Sequence, residues 1–143
     1  MAYLWNHTLE TGSKLIDEQH RRLFEALNNI AAAFQEGRGA QEVSKTIAFL
    51  TDYTIMHFET EEELMKKHKY LDYSAHKFCH EDFKKTVGSL TKKLEKEGPS
   101  EDLIVNVTAV VGDWLISHIK FDDIKMITDV KSKIESDGFT TMV

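Results

Sequence analysis

Residues 43–64 read VSKTIAFLTDYTIMHFETEEEL. Within them Val43, Ile47, Leu50, Thr54, His57, Glu61 and Leu64 follow one another in alternating steps of four and three. That is the period of one face of an α-helix. The face begins as an aliphatic seam and then, still in register, becomes a histidine and a glutamate. Three other rows behave alike: Ile16, His20, Leu23, Leu27, Ile30 and Phe34; His76, His80, Phe83, Val87, Leu90 and Leu94; and Leu103, Val107, Val110, Trp114 and His118.

With one proline and seven glycines in 143 residues, little interrupts these rows. They predict helices from about Asp17 to Phe34, Ala40 to Lys67 and Ser74 to Glu97, and a fourth after Gly98-Pro99-Ser100. Asp17 is the expected N-cap of the first, and Gly37-Arg38-Gly39 its terminator. No sustained period-two alternation marks a strand. Long amphipathic helices joined by short turns imply an all-α, up-down-up-down antiparallel four-helix bundle. A single domain over 1–143 is expected: an irregular N-terminal arm (1–15), the bundle (16–130) and a short C-terminal extension (131–143). Tyr3, Leu4 and Trp5 are expected to pack the arm onto the bundle, and the polar tail to extend a helix or fray.

The hydrophobic fraction of 41% and charged fraction of 29% are those of a soluble globular protein. Net charge is −6, and the lysine pairs Lys66-Lys67, Lys84-Lys85 and Lys92-Lys93 are interleaved with acids, which argues against nucleic-acid binding. No apolar run of membrane-spanning length and no leader pattern stand out, so neither membrane contact nor export is expected. The lone Cys79 excludes an internal disulfide and fits a reducing compartment, so the cytoplasm is the expected location. A monomer is the default expectation.

Residues four apart lie one above the other on a helix, so His57/Glu61 and His76/His80 are each a chelating pair. Either pair alone is as well read as a solvated surface pair. Together with His20 and His118, all in the core rows, they point to metal, because six polar groups converging in a core are costly unless something binds them. The seven potential ligands, counting one acid after His118, are too many for one tetrahedral zinc. That last acid is ambiguous: Asp122, four residues after His118, is aligned on a regular helix, whereas Asp123 fits only if the helix loosens or ends after Phe121. His7 and His68 are expected to face solvent. Cys79 is read as packing against a neighbouring helix, and Glu59, Glu62 and Glu63 as a wet face.

The strings Asp17-Glu-Gln-His20, His57-Phe-Glu-Thr-Glu61, His76-Lys-Phe-Cys-His80 and Trp114-Leu-Ile-Ser-His118-Ile-Lys-Phe-Asp-Asp123 closely resemble the hemerythrin family, in its bacterial branch. The similarity runs from Trp5 to about Lys125. It implies a non-haem centre of two iron ions. His76, His80 and His118 would hold one iron, and His20 and His57 the other. Glu61 and Asp123 would bridge them, with an oxo or hydroxo group as third bridge. The resemblance thus favours Asp123 over Asp122. One iron is then full and the other keeps an open position for O2 or another small diatomic or anionic ligand. A histidine-rich set favours reversible O2 binding (carriage, storage or sensing) over oxygen activation, and the Glu-x-x-His motif of carboxylate-rich diiron proteins is absent. Leu23, Trp114, Leu115 and Ile119 are expected to wall the ligand pocket. A non-enzymatic binding protein is the favoured reading. The alternative is a diiron enzyme on the same scaffold (a peroxidase, or one processing nitric oxide or nitrite) or an iron-handling protein.

Overall fold

The computed structural model describes residues 5–136, so the expectations for Tyr3, Leu4 and the last seven residues lie outside the described residues. A 3₁₀ turn at His7–Leu9 precedes helices α1 (Lys14–Gln35), α2 (Gly39–Lys67), α3 (Tyr73–Glu97) and α4 (Glu101–His118). A π-helical turn at Ile119–Asp123 leads straight into α5 (Ile124–Ser136). α1 packs on α2 and α4, and α3 packs on the same two, which closes the four-helix bundle.

Local chemistry sets each boundary. The cap of α1 is Ser13, not Asp17: its hydroxyl accepts the Ile16 N–H at 3.1 Å. Asp17 instead lies in the first turn, where its carboxylate accepts the Thr11 N–H at 2.9 Å and the Thr11 hydroxyl at 2.7 Å. That bond clamps the arm to the helix. Half-buried Trp5 packs edge-on against Phe24 with ring centres 5.7 Å apart. α1 ends at Gly37, whose φ of +78° lets the Gly37 and Arg38 amides turn back onto Phe34 and Ala33. Gly39 is needed for closeness: a Cβ there would meet Ile104 Cδ1 at 2.6 Å. Ser100 caps α4 through the Leu103 N–H at 3.1 Å, and Glu101 and Asp102 in its first turn suit the positive end of the helix.

Two apolar clusters fill the interior, one at each end. The larger holds Leu27, Ile30, Val43, Ile47, Leu50, Leu103 and Val107 among others. The smaller joins Ile16, Met65 and Tyr70 to Met126, Ile127, Val130 and Ile134. Three expectations need correction. Phe34 and Val110 are exposed, and Ala33 and Val111 are buried in their place. On α4 the inner row runs 103, 107, 111, 115, in steps of four, so 110 falls on the rim. As far as Ser136 the extension is helical and puts Ile134 in the smaller core, so among the described residues the bundle does not stop at 130. Finally, the stretch Glu101–Glu135 is by length and composition apolar enough to cross a membrane, contrary to the expectation above. Its buried side chains, from Leu103 to Ile134, serve the two cores.

If the extension is a structural helix, Ile134→Ala should cost about 2 kcal/mol or more, the usual range for truncating a buried isoleucine. Urea unfolding followed by far-ultraviolet circular dichroism measures this. An unchanged midpoint would mean that the extension contributes nothing to the core.

Candidate metal centre

Between the two clusters lies a polar layer. His20 from α1, His57 and Glu61 from α2, His76 and His80 from α3, and His118 from α4 are all buried there, as is Asp123 from the π turn. Glu61 and Asp123 have no exposed surface. Their oxygens divide in two directions. Glu61 Oε1 lies 3.1 Å from His76 Nε2 and 2.9 Å from His80 Nε2, while Oε2 lies 3.0 Å from His57 Nε2 and 3.5 Å from His20 Nε2. Asp123 does the same, with Oδ1 3.1 Å from His76 and 3.2 Å from His118, and Oδ2 2.9 Å from His20. The donors therefore form two groups, Glu61-His76-His80-His118-Asp123 and His20-His57-Glu61-Asp123, which share both carboxylates.

The π turn explains how Asp123 arrives. On a regular helix a step of five overshoots the His118 face by about 140°. Between Ile119 and Ile124 the chain takes an extra residue into the turn, the Ile124 N–H bonding back to the Ile119 carbonyl. That lag returns Asp123 to the interior. Asp122, the helically aligned acid, lies outside the layer and accepts the His118 Nδ1–H at 2.8 Å. The four-residue spacing is thus real but serves a hydrogen bond on the outer side of the ring.

Several atoms of the layer are poorly satisfied by protein alone. His20 Nδ1 and Nε2, Glu61 Oε2 and both Asp123 oxygens are buried without an aligned hydrogen-bond partner among the described residues. His80 Nε2 and His118 Nε2 face each other at 3.2 Å, two nitrogens of the same kind turned to one point. Buried polar atoms in this state are costly. The donor set of imidazoles and carboxylates suits iron or another first-row metal ion, so these residues fit a metal pair.

Without metal, charge must be shared by protons. Burial alone would depress His20 and His76, but the adjacent Asp123 and Glu61 carboxylates outweigh it and hold both histidines up at about 9. His118 is raised in the same way against its burial, by Asp123, Asp122 and Glu61. Burial pushes Glu61 up, yet His57, His118 and His20 bring it well below the carboxylate range. Asp123 also falls below its ordinary value: His118 and His20 overcome burial and the repulsion of Glu61.

Around this layer are residues that the sequence reading assigned elsewhere. Glu62, expected on a wet face, is buried and accepts the His80 Nδ1–H at 2.8 Å. Gln19, not singled out, accepts the His57 Nδ1–H at 2.6 Å. Neither partner is visible in its own helical row, because each contact crosses to another helix. Phe58 stacks on His80 with ring centres 4.0 Å apart, and Trp114 on His118 at 4.4 Å. Cys79 is half-buried beside His118 and Asp122, and burial pushes its thiol up, which makes it a poor ligand. His7 is exposed, and His68 is half-buried at the end of α2, its carbonyl accepting Lys133 Nζ at 3.1 Å.

An apolar cavity of about 10 Å³ touches the layer at His57 and His118. A space of this size is at the lower limit for one water-sized molecule. Leu23, Trp114 and Leu115 line it, together with Leu50, Thr54, Phe58, Phe83 and Val111. Ile119 does not; it is fully buried in the large cluster, rotated off the cavity.

A bundle with two donor groups joined by two carboxylates defines a class of metal-binding helical proteins, and the comparisons with known proteins name the class. The Hemerythrin HHE cation binding domain matches residues 11–128. The chain is 36% identical over 135 residues to the bacteriohemerythrin of Stenotrophomonas maltophilia (strain R551-3), covering 94% of this chain and 86% of that protein. It is 28% identical over 123 residues to the myohemerythrin of Theromyzon tessulatum, covering 86% and 89%. The solved structure of wild-type hemerythrin superposes with a TM-score of 0.71 at 27% identity, over 89% of this chain and 96% of that one. This chain belongs to the hemerythrin family.

Metal uptake by the metal-free protein should release protons, since a metal needs neutral imidazoles whereas His20 and His76 titrate near 9. Affinity should therefore fall as pH drops from about 9 towards the ordinary histidine value of 6.5. The stability that these protonated histidines give the metal-free protein runs the other way: complete below 6.5, lost as pH rises through about 9. Calorimetric titration in buffers of different ionisation heat reads the proton count. A buffer-independent heat would show that the histidines are already neutral.

Proposed function

We propose that the polar layer holds two irons, with His76, His80 and His118 on one, His20 and His57 on the other and Glu61 and Asp123 spanning both, and that the protein binds O2 reversibly. One observation carries this reading: both buried carboxylates present one oxygen to each histidine group. Bound there, an iron pair supplies the electrons that make O2 binding favourable and reversible. The protein's share is ligand placement and exclusion of water. The two groups are unequal, three histidines against two, so the position of His20 and His57 is the one left incomplete. His57 lines the cavity, as does His118 of the other group, so the space for a small ligand reaches the incomplete position, which supports this reading.

The cavity wall supports binding over catalysis. Besides the two histidines its wall offers the Thr54 hydroxyl, which is occupied by the Leu50 carbonyl, and otherwise aliphatic and aromatic side chains. No carboxylic acid among the described residues lines the space to move protons onto a ligand, as a peroxidase-like or nitrite-processing site would need. Leu23, Phe58, Trp114 and Leu115 keep water out, and they leave the ligand little to react with.

Elemental analysis of iron-replete protein should return two irons per chain, and the reduced protein should gain a visible band in oxygen and lose it under argon. One metal per chain, or a band that never reverses, overturns the proposal. Asp123→Ala should abolish the paired-iron spectrum while Asp122→Ala keeps it.

Leu115→Glu should speed decay of the oxygenated band by about tenfold or more, the effect of about 1.4 kcal/mol off a barrier. Ile119→Val, away from the cavity, should leave that decay unchanged. Equal rates for wild type and Leu115→Glu would show that the wall does not protect the ligand.

A further inference from the structure

The outer nitrogens of the histidines are treated unequally: among the described residues, carboxylates accept from two of the three histidines of one group, His80 and His118 but not His76, and from neither histidine of the other. In the three-histidine group, His80 gives its Nδ1–H to the Glu62 carboxylate and His118 gives its own to the Asp122 carboxylate, both at 2.8 Å. In the two-histidine group, His57 gives its Nδ1–H to the neutral amide oxygen of Gln19 at 2.6 Å. His20 Nδ1 has no hydrogen-bond partner among the described residues. The Gln19 orientation is set from behind, where its amide nitrogen approaches Met56 Sδ at 3.5 Å and Thr60 Oγ1 at 3.4 Å. Glu62 is 9% exposed, and its ion pair in the structure is with His80. A buried carboxylate spent on one imidazole is a cost that a merely solvated acid would not carry.

We infer that Glu62, Asp122 and Gln19 are positioning residues that make the two metal positions electronically unequal. This rests on the paired-iron reading above. An imidazole that ligates through Nε2 and donates Nδ1–H to a carboxylate becomes a stronger donor, because the acceptor draws the proton and leaves electron density on the ring. An amide oxygen does this weakly. The three-histidine position is therefore built to stabilise the higher oxidation state, and the two-histidine position is kept electron-poor. An electron-poor, incomplete position attracts a small ligand yet holds it loosely enough to release it. The two carboxylates also differ: Glu62 is buried, whereas the Asp122 side chain is 38% exposed and shares its acceptor capacity with water. Glu62 should be the stronger lever.

The test is a potentiometric titration of the full-length diiron protein, following its two one-electron steps, with proton NMR of the histidine N–H signals of the reduced form. Glu62→Gln should raise the potential of the three-histidine iron by a tenfold change in ferric-over-ferrous preference, about 59 mV for one electron. Asp122→Asn should shift it the same way by less, and Glu62→Asp should restore most of the loss. Gln19→Glu should lower the potential of the other iron by a comparable factor and move the His57 N–H signal downfield, which narrows the gap between the steps. If Glu62→Gln does not fold, Gln19→Glu carries the test, since it keeps an acceptor for His57 and gives up only the long, part-buried contacts to Met56 and Thr60. Variants that load two irons but keep both wild-type potentials would overturn the inference while leaving the paired-iron reading intact. So would Glu62→Gln and Gln19→Glu shifting the same step in the same direction. A wild type that loads no iron pair would overturn the underlying reading instead, and this inference with it.

Discussion

Two carboxylates with no access to water, Glu61 and Asp123, set the terms for the rest of the molecule. An ion buried without compensation costs several kcal/mol, a large share of what holds a domain of this size together. The bundle supplies compensation from four directions at once, and each helix contributes a histidine to it. The apolar clusters on either side are what make that convergence rigid. They also make it dry, and within a dry layer the sharing of two oxygens between two groups of imidazoles becomes a strong, directional arrangement rather than a screened surface network.

The same layer ties stability to occupancy. Metal-free, it depends on protons shared between His20, His76, His118 and the carboxylates. A bound metal would replace those protons and satisfy the atoms that protein alone leaves unpaired. Folding and cation binding would then be coupled through one set of atoms, as expected where binding contributes directly to folding free energy. The cavity beside His57 and His118 benefits from that rigidity, since a space of about 10 Å³ is erased by small shifts in its walls.

Much of this was legible in residue spacing. The row from Val43 to Leu64 carries helix, core face and two members of the polar layer in one pattern, and the structure keeps all of them inward except where Leu64 reaches the rim. What spacing could not express is anything that crosses between helices or departs from 3.6 residues per turn. Glu62 looks like a surface acid beside Glu59 and Glu63 until α3 brings His80 against it. Asp123 is misplaced by helical arithmetic, and only likeness to a family selected it over Asp122 before the π turn supplied the physical reason. Ser13 was overlooked as a cap because Asp17 offered the same chemistry four residues later. The exposure of Val110 shows that a row continued by steps of three or four drifts, and packing decides which continuation is buried.

The π turn has an effect beyond Asp123. Continued as a regular helix from α4, Met126 and Val130 would lie within about 20° of Ile119, in line with the row that ends there. Retaining one residue inside a single turn rotates everything downstream back by about 100°. The chain therefore changes phase halfway along what is otherwise one continuous helix, and residues in line by spacing, Ile119 and Met126, serve different apolar clusters. The carboxylate is delivered at the point where the phase slips. Removing one residue here would cost both at once, so the extra residue in this turn is held in place by fold and chemistry together.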